Sequence, residues 1–424
     1  MGEVNTMINK EVLELKRRFK KEACTFTRMC GCYVDSGKNK VTDLAETFLN
    51  LEDEEFYKYL EIAKKTLSGK LGNNLLQLDF PLEEEGTGGR QQFLMGLRDS
   101  KLKNEDLLER FYEMVIENYD YAGHYLILIF HDAYDVMTRT TDRNNLDESE
   151  EVFEYLLCAI CPVQLSKPGL GYREDENRIG PRIRDWVVSA PDSGFLFPAF
   201  NDRSTDIHSL LFYTKDAKAP HVEFMESGLG CTSKRTATEQ KNVFDSIIKS
   251  AYGEDSEEAE AKLLEVQGIL NEMVEDHEAV SEEGDAPLML STEAVMKAVE
   301  DSGIPEEKAH KIEQAYNEKF ADEPPVAEHV IDEKALEKNE QKKEKEELRQ
   351  QVEVLQQELE DRKLIAGEED SDETDPVKTY DVILRVKPEK LNQIKSETIH
   401  GQKCLVIPMA EDEHANVNGV NTVV

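Results

Sequence analysis

Two apolar runs separated by a polar segment form the most distinctive pattern along the chain. Residues 195–200 and 210–213 are apolar, and the residues between them read NDRSTDIH at positions 201–208. Short apolar runs bounded by polar turn residues are typical of buried strands. The pattern therefore predicts two buried strands joined by a polar loop, and we expect the rest of the chain to be organised around them.

Further apolar runs predict the remaining strands of the same sheet. Residues 125–130 are all apolar, which predicts a strand covered on both faces, and residues 153–163 predict a second such strand. Trp186–Val188 predicts a shorter one, so that we expect about five strands in this sheet. The stretch CTFTRMCGCYVD near the N-terminus also has the composition of a strand.

Apolar residues spaced three and four apart predict helices over much of the remaining chain. After residue 236 the pattern is helical, and Ser291 suits the N-cap position of one of these helices. The predicted helices cover residues 9–22, 42–51, 53–67, 91–97, 104–118, 291–303 and 305–320.

A charged helix is predicted over residues 331–364. Its apolar residues, Leu348, Val352, Leu355 and Leu359, alternate in spacings of four and three, as in a coiled-coil seam. The seam covers only about two heptads, which is short for a coiled coil. We therefore expect a solvated helix with a short apolar end, followed by a disordered acidic linker at 368–375.

The C-terminal residues predict a small strand–helix–strand unit. Residues 380–386 alternate like a strand, Pro388 suits a helix start, His400-Gly401 suits a turn, and Cys404–Ile407 predicts the second strand. A unit of this size buries little apolar surface, so we expect it to dock elsewhere.

These elements predict an α+β fold with five regions. They are an α+β domain with a mixed sheet at 1–240, a helical region at 241–325, the charged helix and acidic linker at 326–376, the β-α-β unit at 377–410, and a flexible tail at 411–424.

The charge and the cysteine content limit the classes of partner and the compartment that we expect for the protein. The formal net charge is −38, and residues 254–375 hold 40 acidic against 13 basic residues, a net charge of −27. No basic stripe of the kind that binds nucleic acid is visible. Seven cysteines, a charged N-terminus and the lack of any long apolar run predict a cytoplasmic protein with reduced thiols and no membrane span.

One group of polar residues is a candidate catalytic or metal site. His131 and Asp132 follow the apolar run 125–130 and are expected to close that strand, while the loop at 201–208 supplies Asp202, Arg203, Asp206 and His208. If the strands are neighbours, imidazole and carboxylate groups meet at one sheet edge, and His131, Asp132, Asp202 and His208 are the candidate ligands of a divalent metal.

The alternative is that these residues serve turns and caps, because Asn, Asp, Ser and Thr bond their own backbone in loops. Arg203 would then pair with Asp202 or Asp206. The spacing matches no established catalytic motif, so both interpretations stay open.

A thiol site and a nucleotide site are less favoured. Cys158 and Cys161 have the spacing of a redox motif, but residues three apart on a strand point to opposite faces, which predicts buried, inert thiols. The glycine-containing stretches 68–74 and 85–90 lack the strand–glycine–helix context of a phosphate-binding loop. We therefore expect no cofactor.

Several long phrases resemble a known family. They are CTFTRMCGCYVD, KKTLSGKLGNNLLQLDFPLE, ENYDYAGHYLILIFHDAYDV, ICPVQLSKPGLGY and GFLFPAFNDRSTDIHSLLFYTK. They are similar to an uncharacterised bacterial family, domain of unknown function 4317, which is common in anaerobic Gram-positive bacteria. The resemblance covers most of residues 1–325 and the closing unit, and it implies a bacterial protein without implying an activity.

The order of elements is also similar to that of the bacterial nucleoid-associated protein family. The matching positions are Leu229-Gly230-Cys231, Pro287–Ser291 and Val382–Ile407. This similarity implies DNA as a candidate partner, which the acidity of the chain opposes.

Two functions are therefore expected. The favoured one is a cytoplasmic, non-enzymatic interaction protein that binds a protein partner or a second copy through residues 326–424, with nucleoid association as a further candidate. The alternative is a metal-assisted hydrolase that uses the His and Asp residues named above.

Overall fold

The computed structural model describes residues 7–139, 145–253, 256–281, 287–321, 323–365, 393–400, 402–407, 414–417 and 420–423. Residues 1–344 form one compact unit and residues 345–424 a second.

An antiparallel sheet is the centre of the first unit. In the described residues it has eight strands in the order β2-β1-β4-β5-β9-β12-β3, with β8 also paired to β5. The strands of this unit are β1 Arg28–Val34, β2 Lys40–Glu46, β3 Leu75–Asp79, β4 His124–Arg139, β5 Asn145–Leu165, β6 Leu170–Arg173, β7 Arg178–Pro181, β8 Trp186–Val188, β9 Ser193–Phe197, β10 Ala199–Asn201, β11 Ser204–Asp206 and β12 Ser209–Thr214.

Helices cover both faces of the sheet and continue beyond it. The described helices are α1 Asn9–Arg18, α2 Asp53–Thr66, α3 Arg90–Asp99, α4 Glu105–Asn118, α5 Ala237–Ser250, α6 Glu257–Val280, α7 Thr292–Asp301, α8 Glu306–Phe320, α9 Ala327–Val330 and α10 Glu333–Ile365.

The apolar run in β4 is continuous because both of its faces are buried. Tyr125, Ile127 and Ile129 point into a core formed with α3 and α4. The alternate residues, among them Leu126 and Phe130, point into a second core formed with α1 and α2. Successive side chains of a strand point to opposite faces, so one run of six apolar residues serves two cores.

A third core lies in the helical region. Helices α5 to α8 bury an apolar face from each, and α9 closes the cluster with Ala327 and Val330. Thr236 and Glu239 form a capping box at the start of α5, and Ser291 accepts a hydrogen bond from the backbone of Ala294 as the predicted N-cap.

Two short hairpins lie outside the large sheet. β10 and β11 form one, directly after β9, and β6 and β7 form the other, between β5 and β8. In the second unit, the described strands form two hairpins. One joins Lys395–Ile399 to Gln402–Val406, and the other joins His414–Val417 to Val420–Val423.

The α+β class is confirmed. The two central strands lie in β4 and β5, and the apolar run 210–213 lies in β12, as expected. The run 195–200 is divided at Pro198 between β9 and β10, which belong to different sheets. The helix expected over 42–51 is wrong, because Lys40–Glu46 pairs with β1 as a strand and only a short 3₁₀ turn follows at Phe48–Asn50. Pairing with the strand that directly precedes it here overrides the local helical pattern.

Some C-terminal expectations lie outside the described residues. They are the acidic linker at 368–375, the strand at 380–386 and the helix that would start near Pro388. The boundaries of the five predicted regions stay a prediction. Among the helices described, none combines the length and the apolar composition that crossing a membrane requires.

Candidate functional site

His131 lies within β4 and not at its end. β4 continues to Arg139, paired with β5 along its length, so the expectation that His131 and Asp132 close the strand is wrong. The strand extends because β4 and β5 form one long hairpin in which Tyr134 and Val136 remain buried while Asp135 is exposed.

The His131 side chain is fully buried on the α3–α4 side of the sheet. Its Nδ1 atom lies 2.6 Å from Thr27 Oγ1 and its Nε2 atom 2.8 Å from Glu154 Oε1. Burial lowers the pKa of His131 more than Glu154 raises it. The imidazole is therefore neutral at pH 7, with Nε2–H donating to Glu154 and Nδ1 accepting from Thr27, and both ring nitrogens are occupied.

Asp132 points to the opposite side of the sheet and is 1% exposed. Tyr155 donates its hydroxyl hydrogen to Oδ2 at 2.7 Å, and Thr25 donates to Oδ1 at 2.6 Å. The guanidinium of Arg18 lies 3.9 Å from Oδ2. Burial raises the pKa of Tyr155 well above its ordinary value, so this phenol stays protonated as a donor to Asp132.

A polar cluster extends from Asp132 along α1. The guanidinium of Arg18 lies 3.7 Å from the ring centre of Tyr134, and the Tyr134 hydroxyl donates to Glu14 at 2.7 Å. Glu14 forms an ion pair of 3.2 Å with Arg203. The cluster ties α1 to β4 and to the β10–β11 hairpin, and the partner of Arg203 is Glu14 instead of Asp202 or Asp206.

Asp202 and Arg203 form the two-residue turn of the β10–β11 hairpin. Their φ angles are 47° and 56°, and the flanking residues Asn201 and Ser204 are paired. Positive φ at both central positions is the geometry of a type I′ turn. Glu11 supports it, because its Oε1 atom accepts from the backbone N–H of Arg203 at 3.0 Å.

Asp206 and His208 act in local turn chemistry. Asp206 accepts hydrogen bonds from Asn201 at 2.7 Å, from Ser209 at 2.6 Å and from the backbone N–H of His208 at 3.0 Å. His208 is exposed, and its Nδ1 atom lies 2.7 Å from Glu85, which raises the pKa of His208. Side chains that bond neighbouring backbone in this way are typical of loops.

The two histidines are not brought together. β4 and β12 are separated in the sheet by β5 and β9, so their backbones are about 14 Å apart at the usual strand spacing. In the part of the chain that the structure describes, no three His, Cys, Asp or Glu side chains are placed to hold a metal ion. His131 and Asp132 cannot bind the same metal ion either, because their side chains lie on opposite faces of the sheet.

The thiols of the CxxC sequence are buried as predicted. Cys158 lies in the α3–α4 core and Cys161 in the α1–α2 core, so the two point to opposite faces of β5. Burial raises the pKa of Cys161 to about 12, and it also raises the pKa of Cys158 well above its ordinary value. Protonated, buried thiols are poor nucleophiles and metal ligands.

Sequence reasoning missed one His–Asp pair. His221 Nε2 lies 2.9 Å from Asp192 Oδ2, to which the Tyr119 hydroxyl also donates at 2.8 Å. The hydrogen bond from His221 lowers the pKa of Asp192. The three residues lie far apart in sequence and match no motif. Their hydrogen bonds join the end of α4 and the start of β9 to the turn before the π-helical segment Phe224–Gly228.

An exposed apolar stripe lies on α10. Leu348, Val352 and Leu355 are 58%, 51% and 57% exposed, on a helix that is mostly charged and polar. We call these three residues the α10 stripe. The fourth residue of the predicted seam, Leu359, lies where side chains are not described.

Comparison with known proteins places the chain in a family without giving it an activity. No curated protein matches it. A family model described as "Domain of unknown function (DUF4317)" matches residues 7–420, which is almost the whole chain. The buried strands, the polar cluster under α1 and the exposed stripe of α10 therefore all lie within the matched region, and the chain belongs to the DUF4317 family.

Proposed function

We propose that this protein is a cytoplasmic interaction protein without catalytic activity, which binds a second helix through residues 326–424. The partner helix belongs to another copy of the chain or to another protein. The α10 stripe carries the proposal, because three large apolar side chains at coiled-coil spacing stay more than half exposed.

The stripe has the right spacing for a helical partner but little apolar area. Burying the exposed halves of three such side chains contributes about 3 kcal/mol, taking about 2 kcal/mol for each complete burial. Association costs at least about 4 kcal/mol in lost translational and rotational freedom. We therefore expect the stripe to act together with other contacts and not alone.

The metal-assisted hydrolase receives no support from the geometry. Among the described residues the six candidate side chains stay apart or bond internally, with Asp132 held by Tyr155 and Arg203 held by Glu14. DNA is the less favoured partner, since a chain of net charge −38 is repelled by phosphate. Binding to a DNA duplex that did not weaken steeply with salt would speak against a nucleoid role.

The proposal is tested by removing the stripe from the full-length chain. The variant Leu348→Gln, Val352→Gln, Leu355→Gln keeps good helix formers and removes the apolar surface. The control, Glu346→Gln with Glu353→Gln, changes the opposite face of the same helix. Light scattering measures self-association, and affinity capture followed by mass spectrometry identifies other partners.

We expect wild type and control to form the same complexes and the stripe variant to lose them. Circular dichroism checks that the helix content of all three proteins is equal. If the stripe variant retains the mass and the captured partners of the wild type, α10 is not the binding surface and the proposal fails.

A further inference from the structure

A two-stranded ribbon projects from the large sheet between β5 and β8. We use "the ribbon" for residues 164–188. At its base Leu165 pairs with Trp186, and near its tip Arg173 pairs with Arg178. Between these pairs the backbones remain bonded, with Ser166 N–H donating to Asp185 and Arg182 N–H donating to Gly169. The base and the tip therefore follow the same antiparallel register, although residues 166–169 and 182–185 between them are not in strand conformation.

The ribbon has two chemically different faces. The paired residues Leu170 with Pro181 and Tyr172 with Ile179 share one face, because directly opposite residues lie on the same side. The register adds Ile183 to this apolar face. The other face carries the pairs Gly171 with Gly180 and Arg173 with Arg178.

The apolar face is exposed. Leu170 is 77% exposed, Ile179 63%, Tyr172 60% and Ile183 71%. A two-stranded ribbon is only marginally stable in water unless a third strand or another apolar surface covers it. Large apolar side chains concentrated on one exposed face mark a surface that is covered by a partner.

We infer that the apolar face is covered by the same face of a second copy of this chain. Stacking two such faces makes a small four-stranded sandwich with its sheets about 10 Å apart. The contact is self-complementary, as a two-fold dimer requires. Arg173 and Arg178 lie on the outer faces, so the contact buries no charge.

The charges along the ribbon favour an antiparallel arrangement of the two copies. The tip holds Glu174, Asp175 and Glu176, while Lys167, Arg182 and Arg184 lie toward the base. Glu176 forms ion pairs with Arg173 and Arg178 of its own ribbon, so Glu174 and Asp175 supply the acidic charge of the tip. Antiparallel stacking places the acidic tip of each ribbon beside the basic base of the other. A nucleic acid or an anionic membrane fits less well, because the acidic tip would meet phosphate.

The ribbon is not part of the acidic surplus of the chain. It holds five basic and four acidic residues, a net charge of +1, in a chain of net charge −38. The apolar face is about 30 Å long and about 10 Å wide at normal strand dimensions. That is well below the roughly 800 Å² per partner of a standard interface, so we expect a dissociation constant in the range of about 10–100 µM.

Sedimentation velocity of the full-length chain over a concentration series tests the inference. The variant Leu170→Thr with Ile179→Thr keeps strand-forming residues and removes two apolar side chains from the face. We expect it to raise the dissociation constant by about tenfold or more. The control, Leu82→Thr with Val280→Thr, removes two side chains that are 82% and 87% exposed elsewhere, and should leave the dissociation constant unchanged.

Trp186 reports whether the ribbon base stays folded in each variant. It is the only tryptophan and packs against His124, with ring centres 4.2 Å apart and the rings tilted by 37°. An unchanged emission spectrum with a lost dimer supports the inference. A variant that dimerises like the wild type, or a wild type that stays monomeric at 48.4 kDa up to about 200 µM, overturns it.

The arrangement is tested by exchanging charges between tip and base. Lys167→Glu and Glu174→Lys should each weaken the dimer, and the double variant should restore it, since each copy then presents the reversed pair. If the double variant is as weak as the sum of the two single ones, the antiparallel arrangement is wrong.

This inference shares with the proposed function the premise that the chain works by association, but it uses another surface. The α10 variant Leu348→Gln, Val352→Gln, Leu355→Gln separates the two. A dimer that persists in this variant and is lost with Leu170→Thr and Ile179→Thr assigns self-association to the ribbon. The opposite pattern refutes the ribbon contact and leaves α10 in place.

Discussion

The polar cluster under α1 and the ribbon differ in which side chains they bury and which they expose. In the cluster, charged residues are buried and bonded, as with Asp132 held by Tyr155 and Glu14 held by Arg203. On the ribbon, apolar residues are exposed, as with Leu170 at 77% and Ile179 at 63%. Both depart from the usual distribution of polar and apolar side chains.

The difference distinguishes unusual residues that stabilise the fold from unusual residues that indicate an interaction. A buried charge is tolerated when partners inside the fold satisfy it, and the cluster supplies those partners. In the part of the chain that the structure describes, no other element covers the apolar face of the ribbon. The buried group that attracts attention in the sequence therefore stabilises the fold, while the exposed face points to an interaction.

The largest effect should come from breaking the cluster at its most buried member. Asp132→Ala removes the acceptor of the Tyr155 and Thr25 hydroxyl groups and an ion-pair partner of Arg18. We expect the free energy of unfolding to fall by about 3 kcal/mol, measured by urea denaturation of the full-length chain.

Asp135→Ala is the matched control for this prediction. Asp135 lies on the same strand but is exposed, so its removal should change the free energy of unfolding by less than about 0.5 kcal/mol. Equal effects of the two substitutions would show that burial and internal bonding do not distinguish Asp132.

A smaller effect is expected for the ion pair between Glu14 and Arg203. Their side chains are only 10% and 19% exposed, so a double-mutant cycle with Glu14→Ala and Arg203→Ala should give a coupling energy of about 1 kcal/mol. The exposed pair of Glu61 and Lys65, 4.0 Å apart, should couple by less than about 0.3 kcal/mol. Coupling of the same size in both pairs would contradict a role of Arg203 in fastening the hairpin.

The smallest effect is expected for the contribution of His131 to the pH dependence of the free energy of unfolding. Burial holds its pKa below the unfolded value of about 6.5, so the unfolded chain takes up the proton first. The stability that neutral His131 provides is complete above this pH and is lost as the pH falls toward the folded pKa, by at most about 1.4 kcal/mol per pH unit.

His131→Gln should reduce this loss of stability below about pH 6.5, measured by urea denaturation across the pH range. His208→Gln is the control, because His208 is exposed and Glu85 raises its pKa. A wild-type slope that persists unchanged in His131→Gln would show that His131 is not buried in its neutral form.

The positions of most strands could be predicted from the sequence, but their lengths could be predicted only in part. Apolar runs identify β4 and β5 because a strand covered on both faces needs apolar residues at every position. The extension of β4 is visible in hindsight, since Tyr134 and Val136 alternate with Asp135. The strand Lys40–Glu46 was not predictable, because its pairing with β1 outweighs the helical spacing of Leu44 and Phe48.

The candidate site was the hardest part to predict. Arg203 and Asp132 have partners that lie far away in the chain, and Glu14 is 189 residues from Arg203. The spacing of these residues carries no trace of such a contact. The ribbon leaves a local signal in the sequence, because Leu170 and Tyr172 alternate with glycine and arginine.

Hydrogen–deuterium exchange of the full-length chain, from about 1 to about 200 µM, most directly tests whether exposed apolar surfaces carry the function. The account predicts that amides of the ribbon gain protection as the concentration rises, while those around Asp132 in β4 do not change. Exchange that is independent of concentration in both the ribbon and the α10 stripe would contradict it.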